Sequence, residues 1–242
     1  MIKEALQYLV SLKENKTYEI EDYTYSDHEL HRIDPPRYYK KRLEFGSLDA
    51  IVKMIRNELE DYKEAEGGLP VFIQVAAYNR VDVFTRPDLT ETREFPYRAV
   101  CEDANFEPGW RSQDKAIIEL KSRFLPTQDT EYLINLISRI NNDQGVNSED
   151  NGVSQTVTVK SGVHLMSTEQ VKSRLALQPF RTFREIPQPI SEFILRLDEQ
   201  KGVGLIEADG GIWKMEAKDN IKKYFEDQLW KEINEGQVVV MV

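Results

Sequence analysis

Phe193-Ile194-Leu195-Arg196-Leu197, Asp198-Glu199-Gln200-Lys201-Gly202 and Val203-Gly204-Leu205-Ile206 form the stretch that decides the fold. Two apolar, strand-like runs flank a short polar segment ending in glycine, which is the pattern of a β-hairpin. The same pattern occurs earlier. Val71-Phe72-Ile73-Gln74-Val75-Ala76-Ala77 and Val81-Asp82-Val83-Phe84 flank Tyr78-Asn79-Arg80. A parallel α/β protein would alternate strand, helix and strand, whereas here paired strands stand apart from the helices. The expected class is therefore α+β, a mixed hairpin-rich sheet with three or four amphipathic helices.

Outward from the hairpins, apolar periodicity places those helices. Residues 2–13 carry a stripe of Ile2, Leu6 and Leu9. Residues 48–65 place Leu48, Ile51, Val52, Ile55 and Leu59 on one face, with Ser47 as cap and Gly67-Gly68 as stop. Residues 129–141 give Leu133, Ile134, Leu136, Ile137 and Ile140. From Ile212 to Ile233, Ala217, Ile221, Tyr224, Phe225, Leu229 and Ile233 point inward. Thr17–Tyr25, Phe95–Cys101, Ala116–Phe124, the alternation from Val153 to Val159 and the apolar end Val238–Val242 read as further strands. Asn141–Gly152, with one apolar residue, reads as a loop. The organisation expected is an N-terminal α+β region over 1–143, a flexible loop over 144–152 and C-terminal hairpins with a helix over 153–242, packed as one unit.

Composition excludes several classes. The 242 residues include one cysteine, Cys101, so neither a disulfide framework nor a cysteine-rich zinc site is available. No apolar run approaches the ~20 residues of a membrane span, and the start lacks a secretory pattern, so a cytoplasmic location is expected. Lys and Arg number 32 against 42 Asp and Glu, a net charge of −10. That balance suits a basic protein surface better than bare nucleic acid.

Catalytic patterns are thin. Asp27-His28-Glu29-Leu30-His31 has its second histidine one residue early for a His-Glu-x-x-His metal helix, and the only other histidine is His164. Pro87-Asp88 followed by Glu119-Leu120-Lys121 on a predicted strand resembles the carboxylate–lysine site of Mg²⁺-dependent nucleases. The acid-x-lysine element recurs at Glu14-Lys16, Asp61-Lys63, Glu199-Lys201 and Glu216-Lys218, which makes it cheap. Glu207 and Asp209 suit a helix start as well as a cation. Acidic neighbours Glu102 and Asp103 argue for a structural Cys101. Neither catalytic residue, metal nor cofactor is expected.

Two basic-aromatic stretches offer binding chemistry. Arg32, Arg37, Lys40, Lys41 and Arg42 surround Tyr38 and Tyr39, behind the extended Pro35-Pro36. Arg181 and Arg184 alternate with Phe180 and Phe183. The alternative for the second stretch is a strand whose arginines pair with Glu185 or Glu192.

Pro179-Phe180-Arg181-Thr182-Phe183-Arg184-Glu185, Gln188-Pro189, Ser191-Glu192-Phe193 and Glu207-Ala208-Asp209-Gly210-Gly211-Ile212-Trp213 resemble a family of phage and prophage proteins typified by YfdQ. The likeness covers the C-terminal third and runs more loosely back through 156–162, 151–153 and 129–141. The first 110 residues fall outside it. The resemblance implies a phage- or prophage-encoded protein in the bacterial cytoplasm, from a family whose genes lie near recombination and replication functions. It implies no catalytic residues, and Arg181, Arg184, Glu192 and Asp209 serve equally to hold the fold together. The expected function is a non-enzymatic accessory protein that binds a host or phage protein, in phage DNA metabolism or against a host defence or nuclease complex. It would contact nucleic acid weakly and no membrane. The alternatives are a self-assembling structural protein, a homo-oligomer joined through Val238–Val242, and a metal-dependent nuclease.

Overall fold

The computed structural model describes residues 3, 8, 16–21, 23–26, 32–33, 42–62, 70–85, 97–102, 106–140, 149–150, 155–160, 166–198 and 200–242. The chain divides into two compact units, Met1–Lys41 and Arg42–Val242. In the first, β1 (Thr17–Ile20), β2 (Tyr23–Ser26) and β3 (Arg32–Ile33) form an antiparallel three-stranded sheet. The single strand expected over 17–25 is thus a tight hairpin. Ile20 faces Tyr23, and Glu21 turns the chain at φ 56°, an uncommon left-handed conformation for a residue other than glycine. Of the helix expected over 2–13, Lys3 and Tyr8 are described, and both are helical.

The second unit contains β4 (Leu43–Phe45), α1 (Leu48–Tyr62), β5 (Val71–Ala77), β6 (Arg80–Phe84), β7 (Tyr97–Val100) and β8 (Gly109–Arg111). They are followed by α2 (Gln113–Arg123), α3 (Gln128–Arg139), β9 (Glu149–Asp150), β10 (Gln155–Lys160), β11 (Met166–Val171) and β12 (Arg174–Leu177). The chain then forms β13 (Ser191–Asp198), β14 (Gly202–Glu207), α4 (Trp213–Gln228), α5 (Trp230–Asn234) and β15 (Val238–Met241). Mixed antiparallel hairpins and helices make the class α+β.

Two layered cores result. In the five-stranded sheet β15-β5-β6-β7-β4, alternate residues Val71, Ile73, Val75, Val81, Val83 and Ala99 form a buried face under α1 and α4. Leu48, Ile51, Val52, Ile55 and Leu59 come from α1, and Ile221, Phe225 and Leu229 from the other end of the chain. In the four-stranded sheet β12-β13-β14-β8, Leu175, Leu177, Phe193, Leu195, Leu197, Val203 and Leu205 pack with α2 and α3. A third sheet, β11-β10-β9, includes Glu149 and Asp150, which the sequence placed in a loop; residues 141–148 and 151–152 lie outside the described set.

Two further expectations are corrected. Ala116–Phe124 is not a strand. Ala116, Leu120 and Phe124 are buried at four-residue spacing while Ile118 is 65% exposed, so helical geometry satisfies the burial that alternation suggested. The long C-terminal helix breaks at Leu229 (φ −111°, ψ 28°), where α4 yields to α5.

The apolar C-terminus finds its partner within the chain. Strand β15 runs parallel to β5, with Val238 opposite Val71 and Met241 opposite Gln74. Val238 is 2% exposed in the core beneath α4. Deleting residues 238–242 is therefore expected to cost at least about 2 kcal/mol of stability, from the buried valine and the uncovered β5 edge. Urea unfolding of the truncated chain measures this, and an unmoved midpoint would contradict it.

Candidate functional site

The segment between β12 and β13 joins the two cores. Leu177 and Phe193 enter one, while Phe183 and Ile186 enter the other. It has no regular backbone pairing beyond a bridge between Phe124 and Pro179, so side chains supply the partners that buried backbone groups need. Gln188 does most of this. Its Oε1 accepts from the amides of Arg181 (3.0 Å) and Thr182 (3.2 Å), and its Nε2 donates to Phe183 O (2.8 Å). Thr182 Oγ1 donates to Tyr78 O (2.5 Å) in the β5–β6 turn.

Arg181 lies at the centre of this junction and is only 2% exposed. Its guanidinium pairs with Glu207 (2.5 Å), donates to Ser191 Oγ and stacks on Trp213, 3.8 Å from the ring centroid. Burial draws the guanidinium below its usual pKa, and the hydrogen bond and charge of Glu207 oppose that shift. Arg181 Nε, Trp213 Nε1 and Asp209 Oδ2 are buried here without a protein partner. Arg181 is therefore an internal strut rather than a ligand-facing cation. It pairs with Glu207 on β14, whereas the sequence offered Glu185 or Glu192.

Arg184 stays outside. It is exposed, lies 6.0 Å over the Phe180 ring and lines a cleft at the carboxyl ends of the parallel neighbours β4 and β7. One lobe, about 490 Å³, is bounded by Glu44, Gly46, Ser47, Cys101, Glu102 and Arg184. A second lobe of about 370 Å³ adds Ser122, Arg123 and Phe180. Strand ends beside a helix start are a common place for ligand crevices. Ser47 caps α1 through the Ala50 amide (3.3 Å), as its sequence position implies, and Glu185 Oε1 accepts from the Leu48 amide (2.7 Å). A carboxylate from 137 residues away thus holds the positive end of α1. The cleft presents carboxylates and guanidinium groups together, chemistry suited to a polypeptide.

Other sequence candidates fare differently. Arg32 lies on β3, and Arg42 is half-buried just before β4. Arg37, Tyr38, Tyr39, Lys40 and Lys41 lie outside the described residues, as do His28, His31, His164 and Asp88. Glu119 and Lys121 are on helix α2, and Glu119 pairs with Arg111, both side chains mostly buried. The strand geometry that suggested a nuclease site is absent. Glu192 forms an exposed pair with Arg174 (3.1 Å). Asp209 Oδ1 accepts from the Gly211 amide in the turn before α4. Among the described residues no three His, Cys, Asp or Glu side chains gather as a metal site, and no helix is long and apolar enough to cross a membrane.

Sequence reasoning missed Trp110, 41% exposed on β8. It packs on Gly204 of β14, where a Cβ would lie 3.1 Å from three indole carbons. The available signal was a glycine inside a strand, which marks a close approach.

Comparisons with protein-family models, curated proteins and solved structures give no match.

Two buried pairs give stability predictions. Arg181→Ala is expected to cost about 3 kcal/mol because Glu207 and Ser191 lose their partner. Arg181→Lys should not restore the loss, since an ammonium has neither the fork nor the planar face. Denaturant midpoints test both, and a near-wild-type lysine variant would contradict the strut. Glu119→Ala is expected to cost about 1–3 kcal/mol by taking the only carboxylate seen on the mostly buried Arg111 among the described residues and leaving it backbone carbonyls alone, while Lys121→Ala stays within about 0.5 kcal/mol. A smaller loss for Glu119→Ala than for Lys121→Ala would overturn the assignment.

Proposed function

We propose that this chain is a phage- or prophage-encoded accessory protein that acts by binding a partner protein in the bacterial cytoplasm, in phage DNA metabolism or against a host defence complex. The observation that carries the binding reading is the cleft around Arg184. Its mixed charge fits a polypeptide segment with both basic and acidic side chains better than a polyanion. The net charge of −10 favours a basic partner overall. The phage origin rests on the resemblance of the 179–213 motifs.

A second reading, self-assembly, draws support from β15. It stands at an edge of its sheet among the described residues, and no side chain from Val238 to Val242 is charged. Uncharged edges invite pairing with another chain. Light scattering at micromolar concentration distinguishes a monomer from an assembly.

Affinity capture from phage-infected cells, followed by calorimetry with the captured protein, tests the leading reading. Wild type is expected to retain a discrete partner, and Glu102→Gln/Arg184→Ala should weaken its binding about tenfold or more, a loss of roughly 1.4 kcal/mol or more. A partner bound equally well by that double variant would place the interface elsewhere.

A further inference from the structure

The outer face of the four-stranded sheet is independent of the cleft. Strand register puts Trp110, Gly204 and Arg196 in one row, and Ile206, Ile194 and Arg174 in the next. Trp110 lies flat. A Cβ placed on Gly204 would be equidistant, at 3.1 Å, from Cδ2, Cε2 and Cε3 of the indole, so the ring plane follows the sheet. Backbone supports one ring face, and 41% of the residue remains accessible. Lys201, exposed at the hairpin tip, holds its Nζ over the ring, 5.5 Å from the centroid, so a stacked base would move the ammonium aside toward its phosphate.

We infer that this face binds single-stranded nucleic acid, with an unpaired base stacked on Trp110 and adjoining phosphates met by Lys201 and Arg196. A flat sheet with an exposed aromatic ring is a recurring platform for unpaired bases, because every base has a π-face. The absence of a side chain at Gly204 lets the ring lie down on the strand, with its other face turned away from the backbone. Arg174, Arg196 and Lys201 share the face with Glu192 and Asp198. Glu192 is paired with Arg174, and Asp198 accepts from the amides of Gln200 (2.9 Å) and Lys201 (2.8 Å). The Arg174–Glu192 pair cancels its own charge, so among the described residues of the face Arg196 and Lys201 stand against the ionised Asp198, a margin of one cation beside the ring. Stacking on one ring, in a chain of net −10, gives weak and salt-sensitive binding without sequence preference.

The test is fluorescence anisotropy of a labelled oligo(dT) of about 15 nucleotides, titrated with the full chain at salt from about 50 to about 200 mM. Wild type is expected to bind at low salt, and a duplex of equal length should compete poorly. Trp110→Ala should weaken binding at least about fivefold, with Trp110→Phe retaining most of it. Lys201→Glu should abolish binding, and Arg196→Ala should shallow the log–log salt slope by roughly 0.7. Circular dichroism confirms the fold of each variant; if Trp110→Ala fails to fold, Trp110→Phe and Lys201→Glu decide the question. No binding at low salt, or binding that Trp110→Ala and Lys201→Glu leave unchanged, overturns the inference. So does a change in oligomeric state on mutation of Trp110 without oligonucleotide binding, which would assign the face to a second copy. None of these outcomes alters the partner-capture result at Arg184, so the two proposals fail separately.

Discussion

The second unit depends on a buried arginine. Its two cores are built on different sheets, and the segment from Gln178 to Ile190 that connects them lacks a strand or helix of its own. Arg181 gives that segment a fixed position. Stacking on Trp213 ties it to the start of α4, Glu207 ties it to the end of β14, and Ser191 ties it to the start of β13. A desolvated guanidinium on an indole face contributes about 2 kcal/mol, but removing a cation from water is costly. The arrangement is stable because the carboxylate, hydroxyl and ring are supplied together. Any one alone would leave a buried charge partly unmet.

This arrangement also explains the motif stretch read in the sequence. Arg181, Gln188, Ser191, Glu207 and Trp213 are scattered along 33 positions yet meet at the junction. Gln188 replaces the missing backbone ladder, Arg181 locks it, and Glu185 extends the junction to the amino end of α1. Residue type here follows from geometry. A lysine has no fork for two acceptors, and an asparagine at 188 would be one methylene short of its present partners.

Much of the fold was legible because its signals are local. The α1 face Leu48, Ile51, Val52, Ile55 and Leu59 is buried as its periodicity implies, and the hairpins β5–β6 and β13–β14 lie where apolar runs placed them. The errors arise where local pattern is ambiguous. Ile118 and Leu120 fit a two-residue period, and only the burial of Ala116, Leu120 and Phe124 shows a four-residue one. The C-terminal run was legible as a strand that needs a partner, in its own sheet or on another subunit, but not which, because β5 lies 167 residues earlier in the chain. The site was less legible. Arg181 and Arg184 are three apart in one basic-aromatic stretch, yet one is buried and the other exposed. Burial is set by Glu207 and Trp213, more than twenty residues away, and no local rule carries that information.

The hairpin β13–β14 connects these observations. Its inner residues Phe193, Leu195, Leu197, Val203 and Leu205 complete a core, while Glu207 at its end anchors Arg181. Its outer residues support the flat tryptophan. A Cβ at Gly204 would crowd the indole at 3.1 Å and lift the ring from the strand, so the same glycine that weakens the strand in isolation lets Trp110 of β8 lie close on the sheet. Gly202 is constrained in the same way, at φ 83° and with no room for a Cβ beside Arg111 O. Both departures from good strand chemistry therefore serve one end, seating the short edge strand β8. With Arg111 held by Glu119 on α2 and Trp110 laid outward, β8 is fixed from the core side and open on the other. A short edge strand gains little from its own three residues, so these two side-chain contacts reinforce the ladder that pairs β8 with β14.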